Sequence, residues 1–379
     1  MPYITMMQSP RYHQLSFEEI ISGKFTGPLV ISDNETNTRT YFTINVDRRM
    51  LDKVDVFGLV RILTDFCDSH SDLYEKKRTD LYNRFHIPKK SGGLREINAP
   101  VPELMSALRE LKEIFETKFC ALYHTSAFAY VRGRSTIDAV KKHQTNGSHW
   151  FLKTDFSDFF GSTTMDFLMK MLSQIFPFSE VVKIPSGKAS LMRALDLCFL
   201  NGGLPQGTPI SPMLTNLMMI PIDHRLYNCL RGYKGNNYVY TRYADDILIS
   251  SRRNFDHEEI VSFIKDTLWE FHAPFSIKAE KTRYGSSAGS NWNLGLMLNK
   301  DNEITIGTKN KQRFRAMIFS YAMDRKNGKQ WELHDVQVMN GLINYYSMVE
   351  KGYIDAAIKA LDEKLKIDLE KMIKADLRR

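Results

Sequence analysis

The chain has 379 residues, 43% of them hydrophobic and 25% charged, an ordinary globular composition that excludes low-complexity and collagen-like chains. With 52 Lys and Arg against 44 Asp and Glu, the formal charge is +8, which points to a polyanionic partner without naming one. Four widely spaced cysteines (Cys67, Cys120, Cys198, Cys229) with no CxxC exclude a zinc knuckle or a disulfide scaffold. No window approaches the roughly 18 consecutive apolar residues of a membrane span. The first residues, Met1 to Arg11, carry no secretory pattern, so a cytoplasmic protein with no membrane partner is expected.

In chain order, residues 1–80 read as an N-terminal extension. A polar turn cluster starts at Ser32, and Val56, Leu59, Val60, Leu63 and Phe66 recur at helical spacing. From about 81 to 306, short β-like runs alternate with amphipathic helical stretches, the pattern of an α/β or α+β body. It opens with Arg84-Phe-His-Ile-Pro-Lys89-Lys90-Ser-Gly-Gly-Leu-Arg95-Glu-Ile, two apolar runs around a Gly-Gly turn. Such a hairpin is either a basic surface turn or a triphosphate clamp. In the second case Lys89 and Lys90 act as mobile point charges and Arg95 as a planar donor.

Further along, Trp150-Phe-Leu-Lys-Thr-Asp155 is an apolar strand ending in a carboxylate, followed by Phe156, Phe159 and Phe160. Asp158 either caps the next helix or joins the carboxylates. Asn201-Gly-Gly-Leu-Pro-Gln206-Gly lets backbone and Gln206 approach a nucleotide closely; Thr208 stands where a P-loop needs Lys. Ser211-Pro212 is a helix start, N-cap then N1, leading into Met213 to Leu230. Tyr238-Val-Tyr-Thr-Arg-Tyr-Ala-Asp245-Asp246-Ile-Leu-Ile reads as a hairpin around two adjacent carboxylates, without the Asn-Gly, Asp-Gly or Gly-X of tight turns. Adjacent carboxylates repel unless a cation lies near, so this is a solvated acidic turn or part of a metal site. Asp155 lies far enough upstream to belong to a neighbouring strand of the same sheet. Three carboxylates meeting at strand ends would make an oxygen-rich site for Mg²⁺. Two such ions can activate a 3′-hydroxyl and stabilise a pyrophosphate leaving group.

Beyond residue 306 the chain turns helical and basic. Between Lys300 and Lys329 stand eight cations (Lys300, Lys309, Lys311, Arg313, Arg315, Arg325, Lys326, Lys329) against Asp301, Glu303 and Asp324. Lys311, Arg313 and Arg315 either meet the phosphates of an RNA-containing duplex or form a solvated helix face. Ile354, Ile358, Leu361, Leu365 and Met372 predict a packed helix over Tyr353 to Leu377.

In this order the segments resemble the prokaryotic reverse transcriptases, the group that holds retron, group II intron and phage-defence enzymes. The Asp155-x-x-x-Phe-Phe160, Leu204-Pro-Gln-Gly207 and Tyr243-Ala-Asp-Asp246 boxes are similar to that family's palm motifs. Tyr130 to His143 resembles the motif between fingers and palm, His272 to Thr282 and Asn293 to Leu298 two later palm motifs, and Met339 to Tyr346 the start of the thumb. The resemblance runs from about Phe85 to Tyr353. It implies an α+β right-hand polymerase, with fingers and a ferredoxin-like palm over 81–306 and an α-helical thumb over 307–379. Asp155, Asp245 and Asp246 would be the catalytic ligands of two Mg²⁺ ions, or of Mn²⁺ in their place. The chemistry would be addition of dNTPs on an RNA template to give a DNA product. Lys89, Lys90 and Arg95 would hold the triphosphate, and Gln206 would contact the incoming nucleotide or the template base. Phe160 is either the steric gate against a 2′-hydroxyl or a core aromatic, and Lys281 either protonates the leaving pyrophosphate or is a plain strand-end lysine.

Three departures bear on the subfamily. Asp138-Ala139 is followed by His143, one residue too far along for the retron Asn-Ala-x-x-His box. Asn293-Leu294-Gly295 stands in place of a retron Val-Thr-Gly, and the chain stops at Arg379, where group II intron proteins continue. A stand-alone reverse transcriptase copying a non-coding RNA in antiviral (phage) defence is therefore the expectation. A divergent retron enzyme making RNA-linked DNA comes second. An RNA-dependent RNA polymerase and a non-catalytic RNA-binding scaffold are the other classes, and the intact acidic triad argues against the scaffold. A protein partner or a homo-oligomer stays open.

Overall fold

A computed structural model of the chain describes residues 3–8, 11–15, 29–33, 38–42, 55–88, 92–119, 123–287 and 295–378. Strands β1 (Tyr3–Gln8), β2 (Arg11–Leu15), β3 (Leu29–Asp33) and β4 (Thr38–Phe42) form an antiparallel sheet in the order β2-β1-β3-β4, with Ile4 opposite both Leu15 and Ile31. The predicted helix follows as α1 (Val56–Ser69), capped by the Asp55 side chain on the Gly58 N–H and burying Leu59, Val60, Leu63 and Phe66. After α2 (Ser71–Glu75), the basic segment forms the predicted hairpin. Its strands β5 (Tyr82–Pro88) and β6 (Leu94–Pro100) are antiparallel, with Ile87 opposite Arg95. Helix α3 (Pro102–Thr117) starts on Pro102 and buries Leu104, Leu108, Leu111 and Phe115 at the i, i+4, i+7 spacing of an amphipathic helix.

Next come α4 (Thr136–Thr145), opened by a capping box between Ser135 and Asp138, and β7 (Trp150–Asp155). Helices α5 (Met165–Leu172), α6 (Phe178–Lys183), α7 (Pro185–Asp196), α8 (Ser211–Met218) and α9 (Ile220–Leu230) lead to the hairpin of β8 (Val239–Tyr243) and β9 (Asp246–Ser251). The single helix expected over 213–230 is thus two, because Pro221, in the first turn of α9, has no N–H to carry the ladder of α8 past Met219. The chain continues through α10 (His257–Glu270), β10 (Arg283–Ser286), β11 (Met297–Leu298) and β12 (Ile304–Thr305). It closes with α11 (Thr308–Lys326), α12 (Leu333–Leu365) and α13 (Leu369–Leu377). The helix predicted over 353–377 is interrupted where Lys366 takes a left-handed φ of 54°, and Asp368 caps α13.

One sheet organises the central part. Its order is β10-β7-β9-β8, and helices connect β7 to β8 and β9 to β10 while a tight turn joins β8 to β9. That is a βαββαβ chain in the spatial order 4-1-3-2, the ferredoxin-like palm arrangement. The Phe156 N–H donates to the Asp245 carbonyl (3.1 Å), and the His149 N–H donates to that of Ser251 (3.0 Å), so β7 and β9 run antiparallel.

The chain divides into two compact units. One comprises Met1–Arg134, Leu152–Ile249 and Phe255–Arg283; the other comprises Ser135–Phe151, Ser250–Asn254 and Tyr284–Arg379. In the first, Phe156, Phe159, Phe167 and Phe275 pack ring against ring at 4.9–5.8 Å, fixing the chain just past Asp155. In the second, the buried core includes Phe314, Ile318, Tyr321, Val336, Met339, Ile354 and Leu361.

Candidate active site

All three candidate carboxylates lie in the first unit. Asp155 ends β7 and is buried at 3% exposure. Asp245 occupies the two-residue turn between β8 and β9, and Asp246 opens β9. The turn lacks glycine, and Ala244 takes a φ of +57° at its first position, where two-residue hairpins favour glycine. Asp155 and Asp245 are hydrogen-bonded side chain to side chain. Burial, then that contact and the Asp155 charge, push the Asp245 carboxyl up to about 6. Burial would also raise Asp155, but the Lys281 ammonium, the Asp245 hydrogen bond and Lys278 outweigh it and hold the group below the usual carboxylate range. Lys281 Nζ makes a very short contact with Asp155 Oδ2, and Lys278 Nζ lies 3.3 Å from the same oxygen. Asp246 stands apart. It is about a third exposed, and Lys153 Nζ is 3.2 Å from its Oδ1.

The backbone places these lysines. Residues 276–278 run alongside 155–157: the Lys278 N–H donates to the Asp155 carbonyl (2.9 Å) and the Ser157 N–H donates to that of Ser276 (2.7 Å). Lys153 precedes Asp155 by two on β7, so both side chains project from one face of the strand. Neither Lys153 nor Lys278 was singled out from sequence, although strand alternation marks the first and the motif around Lys281 contains the second.

Around this pair the first unit gathers other candidates. Phe160 is half-buried, its ring edge-on to Phe159 at 5.7 Å, and its carbonyl accepts from the Leu204 N–H at 3.0 Å. The Leu204-Pro-Gln-Gly loop is therefore pinned beside the Phe160 turn. Gly203 makes this possible, since a Cβ there would sit 2.0 Å from the Gly161 carbonyl oxygen. On its other side the loop meets β6: the Asn98 N–H donates to the Gln206 carbonyl (2.8 Å), and Gly207, at φ +116°, leaves no room for a Cβ against Asn98. Arg95 is exposed on β6. Burial, then the charge of Asp245, raises the pKa of the Tyr130 phenol, and the Arg95 charge opposes this. Lys89 and Lys90 lie outside the described residues. Asp158 does not cap the next helix: Thr164 does, accepting from the Phe167 N–H, while Asp158 is exposed with φ +40°. The Thr208 hydroxyl accepts from the Ser211 N–H (3.2 Å) at the start of α8, which is a role expected of Ser211 itself.

The basic candidates of α11 belong to the second unit and differ among themselves. Arg313 and Arg315 are exposed. Lys311 is not: its Nζ lies 2.6 Å from Glu350 Oε1 and 4.5 Å from the Tyr353 ring centroid. Glu350 also accepts from the Thr305 hydroxyl and the Ile306 N–H, both at 2.8 Å, and stands at a break in α12 with φ −137°, ψ 63°. Arg325 and Lys329 are similarly engaged, by Asp376 (2.9 Å) and Asp324 (3.2 Å).

The donors at Asp155 and Asp245 fit a divalent cation. Two hard oxygen ligands lie side by side, burial and then Asp155 holding the Asp245 carboxyl up at about 6, and lysines offset the negative charge at Asp155. Among the described residues no group of three His, Cys, Asp or Glu side chains converges as a finished cage. Nor is any helix of those residues long and apolar enough to cross a membrane.

Comparison with known proteins places the chain. Residues 87–315, more than half of it, match the family model described as reverse transcriptase (RNA-dependent DNA polymerase). Among curated relatives, the retron Ec83 reverse transcriptase of Escherichia coli is 28% identical over 74% of this chain and 87% of its own length. The retron Mx65 reverse transcriptase of Myxococcus xanthus is 26% identical over 72% of this chain and 62% of its own. A solved structure of apo telomerase from Candida tropicalis overlaps with a TM-score of 0.44 at 13% identity, covering 72% of this chain and 62% of that one. The chain belongs to the reverse transcriptase family, the divalent-metal-dependent, RNA-directed DNA polymerases of right-hand fold that copy an RNA template.

Proposed function

We propose that this chain is a retron-type reverse transcriptase that copies a non-coding RNA into RNA-linked DNA, using two Mg²⁺ ions, in cytoplasmic antiviral (phage) defence. The observation that carries the catalytic part is the contact of Asp155 with Asp245 at the ends of neighbouring palm strands, with the Phe160 turn and the Leu-Pro-Gln-Gly loop pinned together in the same unit. The names of the curated relatives support the retron assignment over the stand-alone type that the sequence departures favoured. Fingers and palm are assigned to 81–306 and the thumb to 307–379, after an N-terminal extension over 1–80.

In this reading Asp155 and Asp245 hold the metal, with Asp246, paired to Lys153 here, as the third carboxylate of the set. When bound, the ions acidify the primer 3′-hydroxyl and neutralise the leaving pyrophosphate. Lys281, held against Asp155, is the cation placed to hand a proton to that leaving group. Lys89, Lys90 and Arg95 receive the triphosphate. Gln206, its backbone fixed to Asn98, faces the nascent pair, and Phe160 closes the space a 2′-hydroxyl would need. Exposed Arg313 and Arg315 meet duplex phosphates, and a protein partner or second copy would complete a defence system. The test is incorporation of labelled dNTPs or NTPs on RNA by wild type and Asp245→Asn, with sequencing of the nucleic acid that copurifies. DNA synthesis lost in the variant, and one RNA species covalently joined to DNA, are expected. Preference for NTPs, or synthesis unaffected by the substitution, would overturn the reading.

A further inference from the structure

Directly behind the Ala244-Asp245 turn lies a charged pair fully shut off from solvent. Arg242 on β8 and Asp223 on α9 are both at 0% side-chain exposure. Arg242 Nε donates to Asp223 Oδ1 (2.9 Å) and Nη2 donates to Oδ2 (2.8 Å), a two-pronged pairing, while the Tyr240 hydroxyl donates to the same carboxylate at 2.6 Å. Its remaining arm, Nη1, points the other way. It donates to Asn216 Oδ1 (3.1 Å) and to the backbone carbonyl of Ala244 (3.0 Å). Asn216 on α8, buried at 1% exposure, in turn donates from Nδ2 to the Ala129 carbonyl (2.7 Å). The Arg242 backbone is held as well, its N–H donating to Ser126 and its carbonyl accepting from Phe128.

Stability alone does not account for this arrangement. A buried ion pair is often matched or bettered by well-packed apolar residues, so the pair is weak as a source of folding energy. What it does supply is direction. Asp223, itself held by Tyr240, fixes two arms of the guanidinium and Asn216 braces the third, so that together they fix where Nη1 points. The group it points at is the carbonyl of the one turn residue whose backbone an L side chain rarely adopts, Ala244 at φ +57°. A strained turn persists only where its surroundings over-determine it, and here the next residue is Asp245.

We infer that Arg242, oriented by Asp223 and Asn216, is a positioning residue that holds Ala244 in its left-handed conformation and thereby sets the Asp245 carboxylate against Asp155. The inference rests on the proposal that Asp245 is a metal ligand. It assigns the buried network a part in the reaction, acting through the turn and touching no substrate. Arg242→Lys keeps the charge opposite Asp223 but loses the rigid fork, so Nη1 is no longer aimed. Ala244→Gly removes the backbone penalty that makes aiming necessary.

The experiment compares wild type, Arg242→Lys, Ala244→Gly and the double variant for melting temperature, kcat, dNTP KM and Mn²⁺ dissociation constant by electron paramagnetic resonance, all assayed well below melting. In Arg242→Lys, kcat should fall about tenfold or more, because a small misplacement of a catalytic group has effects of that order. The Mn²⁺ dissociation constant should rise in step, with dNTP KM unchanged. In the double variant both should return to within about twofold of Ala244→Gly alone, although the melting temperature stays low. A lowered melting temperature with kcat and Mn²⁺ binding of wild type would make the network purely structural and overturn the inference; so would a defect that Ala244→Gly does not relieve. If Arg242→Lys does not fold, Asn216→Ala, which removes the second guide without stranding a charge, must show the same paired loss of kcat and Mn²⁺ affinity. Asp245→Asn separates the two readings. Mn²⁺ binding lost there but intact in Arg242→Lys refutes positioning alone, whereas Mn²⁺ binding intact in Asp245→Asn refutes the ligand assignment.

Discussion

Replacing Arg313 and Arg315 together with alanine should separate cations that meet nucleic acid from cations engaged inside the second unit. Both are exposed on α11, and two residues of helix put them about 200° apart, on opposite flanks of its solvent side. A duplex lying along that side would meet one phosphate with each. Every phosphate neutralised adds about 0.7 to 0.9 to the slope of log affinity against log salt, so the two arginines account for about 1.4 to 1.8. Between about 50 and 200 mM salt, wild-type affinity should then fall about 7- to 12-fold more than that of the double variant. Fluorescence anisotropy of unrelated labelled RNA–DNA hybrids over a salt series measures this directly, and the loss should be the same for every sequence.

Lys311→Ala is the contrasting perturbation. Its ammonium faces Glu350 and the Tyr353 ring, with the pair only 26% and 17% exposed. Removing it leaves Glu350 with neutral donors alone, which should cost about 1 to 3 kcal/mol of stability. The salt slope should not move. An unchanged slope in Arg313→Ala/Arg315→Ala would mean that these charges only solvate the surface. A slope reduced by Lys311→Ala as much as by one of the arginines would refute the division drawn from the ion pairs.

Asp245→Asn should lower kcat by about 10² to 10⁴ with melting temperature kept, because the metal-borne stabilisation of the transition state is worth several kcal/mol; near-normal turnover would refute the assignment. Phe160→Ala should raise NTP-over-dNTP efficiency by at least about tenfold in competition assays, and equal discrimination would make the half-buried ring a packing residue. His143 is fully enclosed, its Nδ1 2.5 Å from the Ser250 hydroxyl, and burial pushes its pKa down to about 3. The unfolded chain therefore binds the extra proton between about pH 6.5 and 3, so stability falls as pH drops through that window. Unfolding free energies from urea titrations at pH 7.5 and 5.5 should differ by about 1.4 kcal/mol in wild type and by less in His143→Gln, and equal differences would refute it.

What was legible in the sequence is local chemistry. Period-two apolar runs ending in Asp155 and flanking Asp245 gave the palm strands, and Gly203 and Gly207 marked the loop that must pass close to other backbone. Residues whose role depends on distant partners were opaque. Lys311 reads as one of eight cations until Glu350, 39 positions on, is seen beside it. Thr208 rather than Ser211 accepts at the start of α8 because the loop curls back on itself, and no spacing rule anticipates that.

Arg242 is the sharpest case. In the sequence it is a basic residue beside an acidic turn, which suggests charge neutralisation at the surface. Strand alternation does put it on the side of Tyr240, away from Tyr243, so an inward direction was available to be read. What alternation cannot supply is the carboxylate that makes an inward arginine tolerable. That carboxylate, Asp223, comes from a helix whose own pattern shows only a polar residue between Ile222 and His224. The same holds for the site as a whole. The catalytic candidates announce themselves by type and spacing, whereas the groups that would hold them in register sit on other elements and are recognisable only once the fold has brought them within hydrogen-bonding distance.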